Sequence, residues 1–248
     1  MANRVNAVPP MAYASNFSTQ EAAPAHPVRK IQAIEVGVFL FLIVPSVGLS
    51  FLAVNPESLT FPVLAFASML KDLALLSLVL YLVWRNGESF SSIGCTRHKA
   101  RWEIALGIAL FLPLIYGIGL LERLLRKAGL SFMQAPPSYL VPAGTWEIIL
   151  ALAFLMVVAI SEEVIFRGYL ILRFRALAGN RAAALLLSSA VFSIGHGYQE
   201  SGGVIAVGVL GLVFGLVYLW RGSLLAPMVM HFLQNFLGVI LVPLGVAG

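Results

Sequence analysis

The first of three short polar motifs places two carboxylates and a guanidinium within an apolar stretch. Glu162 and Glu163 open this motif and Arg167 closes it. On an α-helix Glu163 and Arg167 lie about 40° apart in the favourable acid-before-base order, whereas Glu162 lies about 140° from the arginine. The spacing therefore predicts that Glu163 pairs with Arg167 and that Glu162 stays free for acid–base chemistry. The alternative is a surface ion pair at a helix end.

The second and third motifs each present an imidazole beside another side chain on one helix face. Phe192 precedes His196 by four residues, and His231 precedes Asn235 by four. A carboxylate near an imidazole can take a proton from water, and a second imidazole with an amide N–H can stabilise an oxyanion. The set therefore fits peptide-bond hydrolysis without a Ser or Cys nucleophile. Hydrogen bonding between helices is the alternative for the third motif.

The same side chains leave a metal site open as an alternative. Glu162, His196 and His231 could bind zinc and leave one position for water. The sequence has no His-Glu-x-x-His spacing, and its one cysteine, Cys95, is distant in sequence from these residues. We therefore expect no cofactor and keep zinc as the alternative.

Composition shows in what environment these motifs must lie. Of the 248 residues 60% are hydrophobic and 11% are charged, with a mean hydropathy of +0.92. A soluble domain has about 25% charged residues, so a soluble protein is excluded. Apolar runs of about 20 residues predict an all-α, polytopic transmembrane bundle of seven to eight spans. The candidate spans are 31–53, 61–84, 102–121, 146–173, 182–201, 203–220 and 223–246.

The lysines and arginines predict the orientation of this bundle. Most of them lie at 29–30, 85–101, 173–181 and 221, which fall on one side of the predicted membrane; a group at 123–127 is the exception. The positive-inside rule predicts a cytoplasmic N-terminus, in a bacterial-type cytoplasmic (inner) membrane. Residues 1–30 are expected to be a flexible tail and 31–248 the transmembrane domain. Basic residues placed between apolar runs do not indicate nucleic-acid binding.

Span midpoints predict whether the motifs can meet. Glu162, His196 and His231 lie roughly 3, 8 and 5 Å from the membrane midplane at 1.5 Å per residue. Three separate helices can therefore bring the motifs to one level. On the sixth span, glycines 208, 211 and 215 would let that helix approach its neighbours closely.

Lys71 and Asp72 form a further charged position, in the middle of the second span. A charge there costs about 2.5–3.5 kcal/mol, so such residues are usually functional. Adjacent helix residues point about 100° apart, so these two are not expected to pair with each other. With Glu163 they best support a rival function, a proton-linked transporter. A non-catalytic membrane immunity or scaffold protein is a second rival.

The ordered motifs Glu-Glu-x-x-x-Arg, Phe-x-x-x-His and His-x-x-x-Asn resemble the CPBP family of CAAX-processing and bacteriocin-processing (Abi-type, Rce1-like) intramembrane proteases. The similarity has its core at 160–236, and no motif residue departs from the family pattern. It implies an endopeptidase on an Rce1-like core of about eight helices. The implied partners are the bilayer and a peptide or protein substrate, which is prenylated in eukaryotic relatives.

The resemblance also implies roles for the motif residues. Glu162 and His196 would activate water, and His231 and Asn235 would bind the oxyanion. The residues that would order the site are Glu163, Arg167 and Phe192. The family is often labelled metalloprotease, and glutamate-activated water without a metal also fits its motifs.

Overall fold

The computed structural model describes residues 29–53, 59–96, 99–243 and 245, and within them the chain is helical without strands. The predicted all-α membrane bundle is confirmed. Its seven described helices are α1 (Arg29–Ala53), α2 (Phe61–Arg85), α3 (Ala100–Lys127), α4 (Gly144–Ala178), α5 (Arg181–Ile194), α6 (Glu200–Arg221) and α7 (Leu225–Leu241). The predicted tail lies almost entirely outside the described residues.

The helix lengths differ from the predicted spans: α3 and α4 are longer than predicted, and α5 and α7 are shorter. In the described chain α2, α3, α4 and α6 are long and apolar enough to cross a membrane, whereas α5 and α7 are shorter. The predicted spans 182–201 and 223–246 are therefore too long. Gly195 and Gly197 flank His196 and end α5 in a turn, and Pro243 disfavours helix at the residue before it. The fourth span, with 35 residues, is longer than predicted, about 50 Å at 1.5 Å per residue.

The backbone of α4 changes its hydrogen-bonding pattern where the first motif lies. Gly144–Glu162 and Ile171–Ala178 are α-helical, but Glu163–Leu170 between them is π-helical. The Ser188 hydroxyl of α5 donates to the Phe166 carbonyl within this segment at 2.6 Å. Gly168 lets the loop after α2 approach, since a Cβ there would lie 2.7 Å from the Ile93 carbonyl oxygen. Neighbouring elements thus hold a π segment of the kind that is frequent at functional sites.

The π segment lies in the middle of the bundle, and all eight of its residues are buried. Helices α2, α5 and α7 pack against α4 or its π segment. A helix that is buried on every side occurs only inside a bundle. Residues on α4 are therefore positioned by several neighbouring helices at once.

Close approach of α5 and α6 completes the wall behind this centre. A Cβ on Gly215 would overlap Leu185, and one on Gly211 would lie 3.2 Å from the Ser189 Cβ. The predicted packing role of the α6 glycines is confirmed at these two positions. It brings the apolar face of α6 against α5 and α4.

Several helix ends that carry arginines lie on one side of the bundle, where polar contacts join them. Arg221 at the end of α6 donates to Glu103 at the start of α3 at 2.7 Å. Arg173 near the end of α4 binds Glu88, which follows α2, through two hydrogen bonds of 2.8 and 2.6 Å. Arg29 at the start of α1 donates to a carbonyl near the end of α4. This arrangement agrees with the prediction that most basic residues lie on one side of the membrane. The compartment that this side faces stays a prediction.

Candidate active site

Glu163 is the fully buried centre of the candidate site. Its Oε1 accepts a hydrogen bond from Arg167 Nη1 at 2.9 Å, which confirms the predicted ion pair. The same oxygen lies 2.8 Å from Nδ1 of His231 on α7. Because a carboxylate only accepts hydrogen bonds, we assign the proton of this contact to Nδ1. The contact between Glu163 and His231 was not predicted, since spacing along the chain carries no information on how α7 rotates against α4.

Glu162 is placed differently from its neighbour. Its side chain is 16% exposed, and its Oε2 lies 3.6 Å from His231 Nε2 without a hydrogen-bond partner. Glu163 Oε2 and Arg167 Nη2 are also buried without a hydrogen bond. An unpaired buried polar group costs about 1–3 kcal/mol, so such groups call for an explanation. Three of them within one cluster indicate a place for a polar ligand.

His196 lies in the turn that follows α5, and one of its ring nitrogens is engaged in a hydrogen bond. Its Nδ1 lies 2.9 Å from the Phe192 carbonyl oxygen, so Nδ1–H donates there and Nε2 is left with its lone pair. The ring interacts electrostatically with Glu162 and His231. No hydrogen bond joins His196 to either residue in the described chain. His196 therefore borders the cluster with an acceptor nitrogen free.

Two phenylalanines surround the imidazoles and the guanidinium. The Phe192 ring centroid lies 4.7 Å from that of His196 and 6.1 Å from that of His231, and the Arg167 guanidinium lies 4.2 Å from it. Phe214 of α6 stacks on His231 at 5.5 Å. Sequence reasoning missed Phe214, although its place between Gly211 and Gly215, on the closely packed face of α6, was a signal.

Asn235 lies one helical turn after His231 and is half-buried. Its side chain forms no hydrogen bond with other described residues. The structure thus places the amide on the same helix as His231 and does not join it to the carboxylates.

Asp72 of α2 also reaches this cluster. It is 3% exposed and interacts electrostatically with Glu162 and His231. Its Oδ1 lies 3.1 Å from Lys71 Nζ, so the expectation that these neighbours do not pair was wrong. The long, flexible lysine side chain bends back to the carboxylate and overcomes the angle between the two positions.

The zinc alternative does not match this geometry. The described residues contain no group of three or more His, Cys, Asp or Glu side chains arranged to hold a metal ion. Both imidazoles use Nδ1 for hydrogen bonds, which leaves Nε2 of each without one, and no hydrogen bond joins His196 to Glu162 or His231 in the described chain. The predicted set Glu162, His196 and His231 is therefore not assembled as a zinc site, and no chemical step is derived through a metal.

Fold and cluster together define a multi-pass helical membrane protein with a buried Glu–His–Arg site. Residues 144–237 match the family model described as Rce1-like, type II CAAX prenyl endopeptidase. This segment contains all seven predicted site residues and covers less than half of the chain. The match confirms the resemblance to the CPBP family and, at the family level, supports a CAAX-protease-like membrane endopeptidase that acts on a peptide or protein. No curated protein and no solved structure gives a significant match.

Proposed function

We propose that the chain is an intramembrane endopeptidase in which Glu162, assisted by His196, activates the attacking water. The observation that carries this proposal is the contrast between two adjacent carboxylates. Glu163 is bound by Arg167 and His231, whereas Glu162 Oε2 is buried without a hydrogen bond. A carboxylate held at bilayer depth without a hydrogen-bond donor is suited to accept a proton from water.

Glu162 receives one proton of the water as the water oxygen attacks the peptide carbonyl carbon. His196 Nε2, which has its lone pair free, accepts a hydrogen bond from the same water. When the C–N bond breaks, the proton held by Glu162 passes to the leaving amine. Every proton is accounted for, and no co-reactant is needed.

His231 and Asn235 stabilise the oxyanion that forms on the peptide carbonyl oxygen. Since His231 Nδ1–H is directed to Glu163, only the protonated imidazole has an Nε2–H to donate. Glu163 stabilises that imidazolium, as the carboxylate does in Ser–His–Asp triads. The contact with His231 thus supports a proposed task for Glu163 beyond its pair with Arg167.

The substrate that the family match supports is a membrane-associated peptide with a prenylated C-terminal Cys-aliphatic-aliphatic-X sequence. We also propose that the basic side of the bundle faces the cytoplasm of a bacterial-type inner membrane. The Lys and Arg distribution supports that orientation.

Turnover of a quenched, farnesylated peptide of this type by purified protein tests the proposal. The wild type is expected to cleave it, and Glu162→Gln is expected to lose about 10²–10⁴-fold in rate while it unfolds at the same temperature. Glu147→Gln, in the first turn of the same helix, is the matched control and should keep activity. Equal turnover by Glu162→Gln and the wild type would contradict the proposal.

A further inference from the structure

A charged pair outside the matched region lies on α2, the helix that packs against α4 and its π segment. Lys71 and Asp72 are near the middle of α2, about 15 Å along the helix from its first residue. Asp72 is buried and interacts electrostatically with Glu162 and His231. Helix α2 therefore adds charged groups to a site that α4, α5 and α7 otherwise form.

The two members of the pair differ in accessibility. The side chain of Lys71 is 57% exposed and that of Asp72 5% exposed. An ammonium has three N–H donors, and the contact of 3.1 Å with Asp72 uses one. Asp72 thus holds the Lys71 ammonium in place, and the ammonium still has N–H donors free.

The charges around the site show which cation a ligand could reach. Two permanent cations accompany the carboxylates: Lys71 is paired with Asp72, and Arg167 is paired with Glu163. Arg167 is 1% exposed and is bound to Glu163. Of these two cations, Lys71 is the one open to an incoming anionic group.

We propose that Lys71, held in place by Asp72, binds the carboxylate at the C-terminus of the substrate peptide. The inference rests on the endopeptidase function proposed above. An ammonium binds a carboxylate through charge-assisted hydrogen bonds. A phospholipid phosphate offers similar chemistry, but head groups lie about 15 Å from the midplane and Lys71 is in the middle of its span. A substrate whose C-terminus lies close to the cleaved bond can reach Lys71 while its carbonyl faces Glu162.

The test compares KM and kcat for two farnesylated, quenched peptides in neutral detergent without phospholipid. The peptides contain no Asp or Glu and differ only in a free C-terminal carboxylate or a carboxamide. The wild type is expected to show a KM at least about tenfold lower for the free acid. Lys71→Met should remove this difference and leave kcat on the carboxamide unchanged, because the lost interaction is ground-state binding. Lys71→Arg should keep most of the difference.

Arg85 provides a matched control. It is likewise an exposed cation beside a buried carboxylate, 3.5 Å from Glu35, but it lies at the end of α2. Arg85→Gln should keep the difference between the two peptides. Because Lys71→Met leaves Asp72 without its cation, the double variant Lys71→Met/Asp72→Asn, compared only by the ratio of its KM values for the two peptides, replaces the single variant if that variant does not fold.

The outcomes separate this inference from the function on which it rests. An unchanged KM ratio in Lys71→Met, or an equal loss of kcat on both peptides, would overturn the carboxylate role alone. Anionic phospholipid that competes with the free acid would assign Lys71 to lipid and would also overturn it. Cleavage of neither peptide by the wild type would contradict the proposed function, and the inference with it.

Discussion

Two clusters of buried charged side chains lie along α4, and they use the same residue types in opposite ways. The helix-end cluster consists of Glu35, Arg85, Asn86, Glu88, Tyr169 and Arg173. Both carboxylate oxygens of Glu88 accept hydrogen bonds from Arg173, at 2.8 and 2.6 Å. Glu35 accepts from Asn86 at 2.8 Å and from the Tyr169 hydroxyl at 3.4 Å. Every carboxylate oxygen in this cluster has a partner.

The candidate site leaves part of its polar surface unpaired. Glu163 Oε1 carries two contacts, while Glu163 Oε2, Glu162 Oε2 and Arg167 Nη2 have no hydrogen bond. At the helix ends every carboxylate oxygen is bonded and Arg173 Nε is left without a hydrogen bond, whereas the candidate site leaves two carboxylate oxygens and one guanidinium nitrogen without one. If the proposed function holds, hydrogen-bond pairing rather than residue type distinguishes the structural cluster from the reactive one.

Removal of the guanidinium from the site is expected to have the largest effect. Arg167→Ala leaves Glu163 buried without its cation, and breaking such a pair costs about 3–5 kcal/mol of stability. Thermal unfolding in detergent measures this loss. Glu162→Gln, which removes no ion pair with Arg167, is the control. An equal loss of stability in both variants would show that Glu162 and Glu163 do not have the separate roles described above.

Removal of the guanidinium from the helix-end cluster should affect folding only. Arg173→Ala breaks a buried pair with Glu88 and should lower stability by about 3 kcal/mol. Turnover per folded molecule should stay at the wild-type value because the cluster does not contact the site. A kcat lowered tenfold or more in correctly folded Arg173→Ala would remove the functional distinction between the clusters.

The amide of Asn235 sharpens the assignment of the unsaturated site. Loss of an oxyanion donor costs about 100–1000-fold in rate, so Asn235→Ala should lower kcat by that factor and leave KM nearly unchanged. Gln234→Ala, the adjacent change on α7, is the comparison. Wild-type kcat in Asn235→Ala would show that its amide does not stabilise the oxyanion.

The smallest expected effect is that of metal removal. We propose that water is activated by side chains alone, so activity should survive dialysis against EDTA or phenanthroline. Stoichiometric zinc by elemental analysis, with activity lost to the chelator and restored by zinc, would contradict this mechanism. The Asn235 result would still apply, because amides are poor zinc ligands.

Sequence patterns predicted the helices and the pair between Glu163 and Arg167, because both depend on local periodicity. The π segment, the contact of His231 with Glu163 and the approach of Asp72 were not predicted. Each depends on how one helix is rotated about its axis and packed against another. The hydropathy of a sequence indicates how long a helix is but not how it is rotated. Spans five and seven were predicted too long because apolar residues continue through turns beside Gly195 and Pro243.

The central claim, that Glu162 is the carboxylate that cleaves peptide bonds, is tested most directly in the membrane itself. Membrane proteomes of cells that express the wild type or Glu162→Gln at equal levels can be compared for new protein C-termini. The account predicts a set of C-termini that appears with the wild type and is absent with Glu162→Gln. The same set of C-termini in both, with the variant folded and present in the membrane, would contradict it.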